Sequence, residues 1–249
     1  MLTNNSKLPH QLIINFLRKI SFSYRSVVGK ELSLWLLYQP YVLWGYLKRT
    51  LAKGNLDEGI LISDTELVID GFQGSANSFA TVAFKFSQTR PVKLMHHGHV
   101  PVLIIKAIER DIPVLLTIRE PKSTVLSVTS RWSHLSVTQV LQSYIGFYTK
   151  LQPYSDSYVI STFEQTISQL DLTIETINEK YNKNFDLVDV DLANKECRQQ
   201  VSDAPEYAKR RKLIKQEKLK EFALEKNIQL LEKANELYKS YCLSALDDV

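Results

Sequence analysis

Beyond residue 60 the chain alternates between two kinds of hydrophobic pattern. Short apolar runs rich in β-branched residues, "ELVIDGF" (66–72), "VKLMHH" (92–97), "PVLLTIRE" (113–120) and "SYVISTFE" (157–164), read as buried strands. Between and after them, apolar residues recur at intervals of three and four over about 78–88, 100–111, 121–132, 136–151 and 169–182, the period of helices that bury one face. Strand and helix in alternation imply right-handed crossovers. The expected fold class is therefore α/β, with a central, mostly parallel sheet covered by helices on both faces. In such sheets ligands sit at the carboxyl ends of the strands.

The flanks follow other patterns. "LSLWLLYQPYVLWGYL" (32–47) is the most apolar stretch, yet it falls short of the ~20 residues a spanning helix requires and holds Gln39 and Pro40 at its centre. It reads as a pair of accessory helices, broken near Pro40, that packs its aromatics on the main domain. Basic residues on both sides, Arg25 and Lys30 before it and Lys48 and Arg49 after it, leave open peripheral contact with a membrane surface. "KGNLDEG" (53–59) is a turn-rich linker, and from about 203 the chain has the spacing of one or two amphipathic helices. The expected division is an accessory helical segment over 1–60 and an α/β domain over 61–249 with a C-terminal helical extension.

Composition adds bounds rather than chemistry. With 249 residues, 44% of them hydrophobic and 23% charged, the chain can bury the core of one α/β domain or at most two small ones. A net charge of +4 is mild and demands no nucleic-acid partner; the basic run "AKRRKLIKQEKLK" (208–220) reads first as a solvated helix face. Cys197 and Cys242 show no metal or disulfide spacing, and "KLPHQLIINFLRKI" lacks a long apolar run and a small-residue cleavage site. A reduced, cytoplasmic chain is the expectation.

The unusual residues fall at predicted strand ends. After "ELVIDGF" come Gly74, Ser75, Ala76, Asn77 and Ser78 and then a helix, an arrangement that aims several backbone N–H groups at one anion. It lacks the Gly-Lys-Ser/Thr ending of a nucleoside triphosphatase loop, which disfavours kinase or triphosphatase chemistry. Arg119 closes the third strand, Pro121 suits the first turn of the next helix, and Ser127 follows two turns on. "MHHGHVP" (95–101) closes the second strand. In an extended segment His97 and His99 would point to the same side. Imidazole titrates near neutral pH and can take a proton from an alcohol. A zinc site is the competing reading of these histidines, though no further ligands at metal spacing accompany them; a purely structural role in the core is another.

"REPKSTVLS" (119–127) resembles the second signature of the sulfotransferase family, whose members use 3′-phosphoadenosine-5′-phosphosulfate as donor. There an Arg at a strand end and a Ser eight positions later bind the donor's 3′-phosphate, the roles the resemblance gives to Arg119 and Ser127. "FQGSANSF" (72–79) resembles the family's loop for the 5′-phosphosulfate, which implies that Gly74 to Phe79 hold the donor. It departs from the pattern in that Gln73 stands in place of Pro and Gly74 in place of a Lys or Arg that stabilises charge on the leaving phosphate. "GHVP" is similar to the segment carrying the general base, implying that role for His99, with His97 at the position of a Lys and able to replace part of the missing cation. Phe163 and Glu164 stand on the family's Tyr-Glu positions; core packing is the first reading of Phe163. The family closes the donor site with a basic loop near the C-terminus, for which Arg210 and Arg211 are the candidates. The resemblance covers roughly 64–185 and implies a P-loop-like, nucleotide-binding fold. It implies sulfuryl transfer to a carbohydrate, lipid or glycolipid hydroxyl, without a metal. A non-catalytic nucleotide-binding or scaffold protein that has lost its loop cation is the alternative.

Overall fold

Four strands, β1 (Leu67–Gly71), β2 (Leu94–His96), β3 (Val114–Ile118) and β4 (Val159–Thr162), form one all-parallel sheet in the order β2-β1-β3-β4 in this computed structural model, which describes residues 7–53, 60–201 and 204–247. Successive side chains leave each strand on opposite faces. Val68, Met95, Leu116, Ile118 and Ile160 enter one core, while Leu67, Ile69, Leu94, Leu115 and Val159 enter the other. Burying side chains of this size is worth roughly 1.5–3 kcal/mol each, against about 1 kcal/mol spanned by strand propensities. Packing on both faces therefore sets the register, in which Ile69 faces Leu115 and Gly71 faces Thr117.

Helices cover both faces, as the sequence pattern predicts. The chain runs through α1 (Lys7–Val28), α2 (Trp35–Lys53), α3 (Asn77–Ser87), α4 (Pro101–Ile108), α5 (Pro121–Arg131), α6 (Val137–Leu151), α7 (Phe163–Ser168), α8 (Leu170–Tyr181), α9 (Val190–Val201), α10 (Pro205–Glu221) and α11 (Glu225–Asp247). On one side lie α3, with Ala80, Ala83 and Phe84 inward, and α8, with Ile174 and Ile177 inward. On the other lie α4, α5 and α6. The chain leaves β1 through α3 toward β2, then returns over the opposite face through α4 to β3. That reversal puts a crevice at the carboxyl ends of β1 and β3, the place where open α/β sheets bind ligands.

The flanking helices join the first core. Val28 of α1 and Tyr38 of α2 are buried in it, and Ser26 and Ser143 hydroxyls meet at 2.7 Å between α1 and α6. The expected break near Pro40 is absent, because α2 continues through it. The N–H that Pro40 lacks would have served the carbonyl of Leu36, whose residue is 80% exposed, so water can take its place. The chain turns instead at Gly29, where a Cβ would overlap Val100. The proposed linker lies outside the described residues from 54 onward. At the far end α10 packs on α5, and α11 packs on α6 and β4. Cys197 and Cys242 are free thiols, and among the described residues no helix is long and apolar enough to cross a membrane.

Candidate functional site

The loop between β1 and α3 bends sharply and leaves the start of its helix uncapped. Gly74 has φ +88 and Ala76 has φ +68, so two residues in the left-handed region fold the chain sharply before the helix starts. The α3 N-terminus has no side-chain cap, whereas α5, α6 and α7 are capped by Glu120, Ser136 and Thr162. Among the described residues, no acceptor lies within hydrogen-bonding distance of the amides of Gly74, Ala76, Asn77 and Ser78. Helix-start amides of this kind favour negative charge.

Polar side chains fix the loop from behind. Asn77 donates to the carbonyls of Gly71 (3.3 Å) and Phe72 (3.0 Å) and accepts from the Thr117 hydroxyl at 2.6 Å. The Tyr148 hydroxyl donates to Thr117 O at 2.9 Å and accepts from Phe72 N at 3.3 Å, with the buried Ser75 hydroxyl 3.4 Å away. Burial pushes the Tyr148 phenol far up, so it stays protonated and keeps its donor role. Asn77 thus spends its side chain on the loop itself and can offer a ligand its backbone amide, whereas Ser75 is taken up by the loop through its amide as well, which donates to Phe72 O at 3.3 Å.

Arg119 and Ser127 reach the same loop. Arg119 Nη1 donates to Gly74 O at 3.3 Å, and its guanidinium lies 3.8 Å from the centre of the Phe163 ring. Phe163 is only half-buried, so it serves as a platform for Arg119 instead of filling the core as expected. Burial pulls the Arg119 pKa down, while Glu164 and Glu120 pull it up; a guanidinium there remains charged. A Cβ on Gly74 would stand 3.4 Å from Ser127 Oγ, so loop and serine are neighbours. From α10, Arg211 donates to Ser130 Oγ (3.2 Å) and to Ser127 Oγ (3.5 Å). Arg210 is exposed on the same helix. Glu120 caps α5 by accepting from Lys122 N (2.9 Å) and Ser123 N (2.7 Å).

The histidines assemble around a residue that the sequence reading passed over. Asp70 is fully buried at the tip of β1 and accepts from the His99 amide at 2.9 Å and the Gly71 amide at 2.9 Å. His99 Nδ1 lies 2.8 Å from Gly71 O and 3.3 Å from Asp70 Oδ1. Both neighbours are acceptors, so Nδ1 carries the hydrogen and Nε2 is the basic nitrogen. Burial alone would raise the Asp70 pKa, but the bonds and charge of His99 and the two amides outweigh it and hold the carboxyl below its ordinary range. Gly98 is required here, since a Cβ on it would come within 2.9 Å of Asp70 Oδ2.

His97 and His99 are not extended. Both adopt positive φ, +59 and +53, because β2 ends at His96 and the chain turns into α4. Their rings still meet edge to face at 5.5 Å. His97 Nε2 lies 3.0 Å from the Ser78 hydroxyl and its Nδ1 lies 2.6 Å from His96 Nδ1. A single hydrogen fits between those two nitrogens, so His96 and His97 cannot both be fully protonated in this arrangement. Among the described residues, no group of three or more His, Cys, Asp or Glu is placed to hold a metal ion.

A cation also arrives from the N-terminal segment. With its amide turned so that oxygen is the acceptor, Gln73 receives both Nη groups of Arg25 in α1, Nη1 at 2.9 Å. Arg25, Lys30, Phe72, His99 and Ser143 line a small pocket between α1, α6 and the start of α4. Another pocket, lined by Gln152, Ser155, Tyr158 and Tyr241, lies at the start of β4, on the edge of the sheet away from these groups. The sequence reading thus brought together the loop, Arg119, Ser127, Arg211, His97 and His99. It missed Asp70, Arg25 as a neighbour of the loop, and the Tyr148 brace. An acid in the apolar run 66–72 was the one available signal for Asp70. Comparisons with protein-family models, with curated proteins and with solved structures return no match.

Proposed function

We propose that these strand tips bind an adenine nucleotide carrying two separate phosphate groups, and that the chain transfers the sulfuryl group of 3′-phosphoadenosine-5′-phosphosulfate to a hydroxyl of a carbohydrate, lipid or glycolipid. The observation that carries this reading is the convergence of uncapped loop amides, Arg119, Ser127 and Arg211 at one crevice, with the Asp70–His99 pair held against the same loop.

In this reading the amides of Gly74, Ala76, Asn77 and Ser78 take the 5′ end, and Arg119 and Ser127 take the 3′-phosphate. Arg119 now donates to a neutral carbonyl, Gly74 O. A phosphate offers it a charge-assisted, bidentate partner, which is a stronger bond, so the exchange favours binding. Arg211 adds a second cation at Ser127. As the acceptor oxygen attacks sulfur, His99 Nε2 takes its proton, while the sulfur–oxygen bond to the nucleotide breaks and 3′,5′-bisphosphoadenosine leaves. Gly71 O holds the imidazole in the required tautomer, and the Asp70 carboxylate beside it stabilises the charge that His99 gains, the electrostatic part of what the carboxylate of a hydrolase triad does. Positioning and charge neutralisation supply most of the rate, as in phosphoryl transfer. Gly74 brings no cation to the loop. Arg25, held at the adjacent Gln73, is the cation that replaces it.

Gly74 also favours the second reading, a nucleotide-binding protein without turnover. Labelled donor presented with a panel of glycans and glycolipids separates the two. Transfer by the wild-type chain, about a hundredfold loss in His99→Ala, and a lower rate with unchanged donor affinity in Arg25→Ala are expected. Donor binding with no transfer to any acceptor supports the second reading, and undiminished transfer by His99→Ala refutes the base assignment.

A further inference from the structure

α1 and α2 are apolar on the side that faces away from the core. On α1, positions from Leu12 to Val27 at spacings of three and four are exposed, with Phe16 at 62% and Leu17 at 58%. On α2, Leu36 (80%), Leu43 (59%) and Trp44 (67%) share one face. The Tyr24 hydroxyl donates to Leu37 O at 2.6 Å, which brings the two exposed stripes side by side. Scattered apolar residues on a surface are ordinary; a continuous stripe over two adjacent helices marks an interaction face.

The charge on these helices selects the partner. Neither α1 nor α2 contains an acidic residue. Arg18 and Lys19 are exposed on α1, Lys19 lying one turn from Phe16, while Lys48, Arg49 and Lys53 belong to α2. Glu31, between the helices, pairs with Lys150 at 2.7 Å. Every charged residue within the two helices is basic, so a two-fold contact between copies of these helices would bring like charges together. An anionic lipid surface supplies both the apolar layer and the opposite charge.

We propose that α1 and α2 lie in the interface of an anionic membrane, with Phe16, Leu17, Leu43 and Trp44 dipping below the headgroups and Lys19 among the lipid phosphates. The helices lie on the bilayer and do not span it, in keeping with their length and composition. This holds whether or not the strand tips transfer a sulfuryl group.

Flotation of the full chain with vesicles tests it. The chain is expected to float with phosphatidylcholine vesicles containing phosphatidylglycerol, to float less with phosphatidylcholine alone, and to be released as salt rises. Phe16→Glu with Trp44→Glu, both exposed sites, should weaken binding at least about tenfold, and Phe16→Ala with Trp44→Ala should weaken it in the same direction. Circular dichroism of each variant establishes that it has folded. Absence of flotation, equal binding to the neutral vesicles, undiminished binding by the folded variants, or a wild-type dimer in light scattering that Phe16→Glu dissociates would each overturn the proposal.

Discussion

Asp70 has no exposed surface, and a carboxylate there persists only because three contacts, two of them from backbone amides, replace its water. Its pKa is lowered on folding, so it contributes stability above its unfolded value near pH 4, and that contribution is lost as pH falls through the lower folded value. Asp70→Asn removes this dependence. In denaturant titrations the wild-type advantage over the variant should be full at pH 6 and shrink below about pH 4; an advantage independent of pH would mean that folding leaves the Asp70 pKa unchanged, and one that shrinks as pH rises would mean that Asp70 is neutral when folded. The same substitution removes the carboxylate charge beside His99, while Gly71 O, 2.8 Å from Nδ1, still sets its tautomer. At neutral pH transfer should fall by at least about tenfold, the loss expected for a charged hydrogen-bonding partner, while donor affinity stays within about twofold, an asymmetry that a loss of folding alone would not produce.

At the scale of elements, the β1–α3 loop depends on its backbone conformation. Gly74 sits at φ +88 with Ser127 Oγ at the edge of contact with any added Cβ. Gly74→Ala should therefore cost about 1 kcal/mol of stability through the positive φ, measured by chemical denaturation, and weaken nucleotide binding by shifting the loop amides. If Ala is accepted at no cost, the loop is not held in this conformation. The strands and most helices were legible because apolar periodicity reports burial, and burial dominates their energetics. The α6 tyrosines were harder to read. Tyr144 and Tyr148 look like parts of an apolar stripe, and only the packed sheet shows their hydroxyls donating to Arg119 O at 2.9 Å and Thr117 O at 2.9 Å. The left-handed turn at His97 and His99 was hidden for a similar reason. Nothing local fixes it, since its amide finds its acceptor, Asp70, on another strand. Pro40 misled because a proline's cost depends on whether the deprived carbonyl can reach water.

At the scale of the molecule, the crevice at β1 and β3 is closed by the two ends of the chain. α1 delivers Arg25 to Gln73, and α10 delivers Arg211 to Ser127, so cations from residues far apart in sequence flank a loop that has none. A site assembled in this way depends on the flanking helices as much as on the sheet. The central claim is that one nucleotide with two phosphate groups is gripped by loop amides on one side and by Arg119, Ser127 and Arg211 on the other. Calorimetric titration with 3′,5′-bisphosphoadenosine, for the wild-type chain and for Arg119→Ala, tests it most directly. Binding by the wild type with at least about tenfold weaker affinity in Arg119→Ala, a loss of the size expected for a charged hydrogen-bonding partner, is the predicted result. No binding by the wild type, or equal affinity for both proteins, would contradict it.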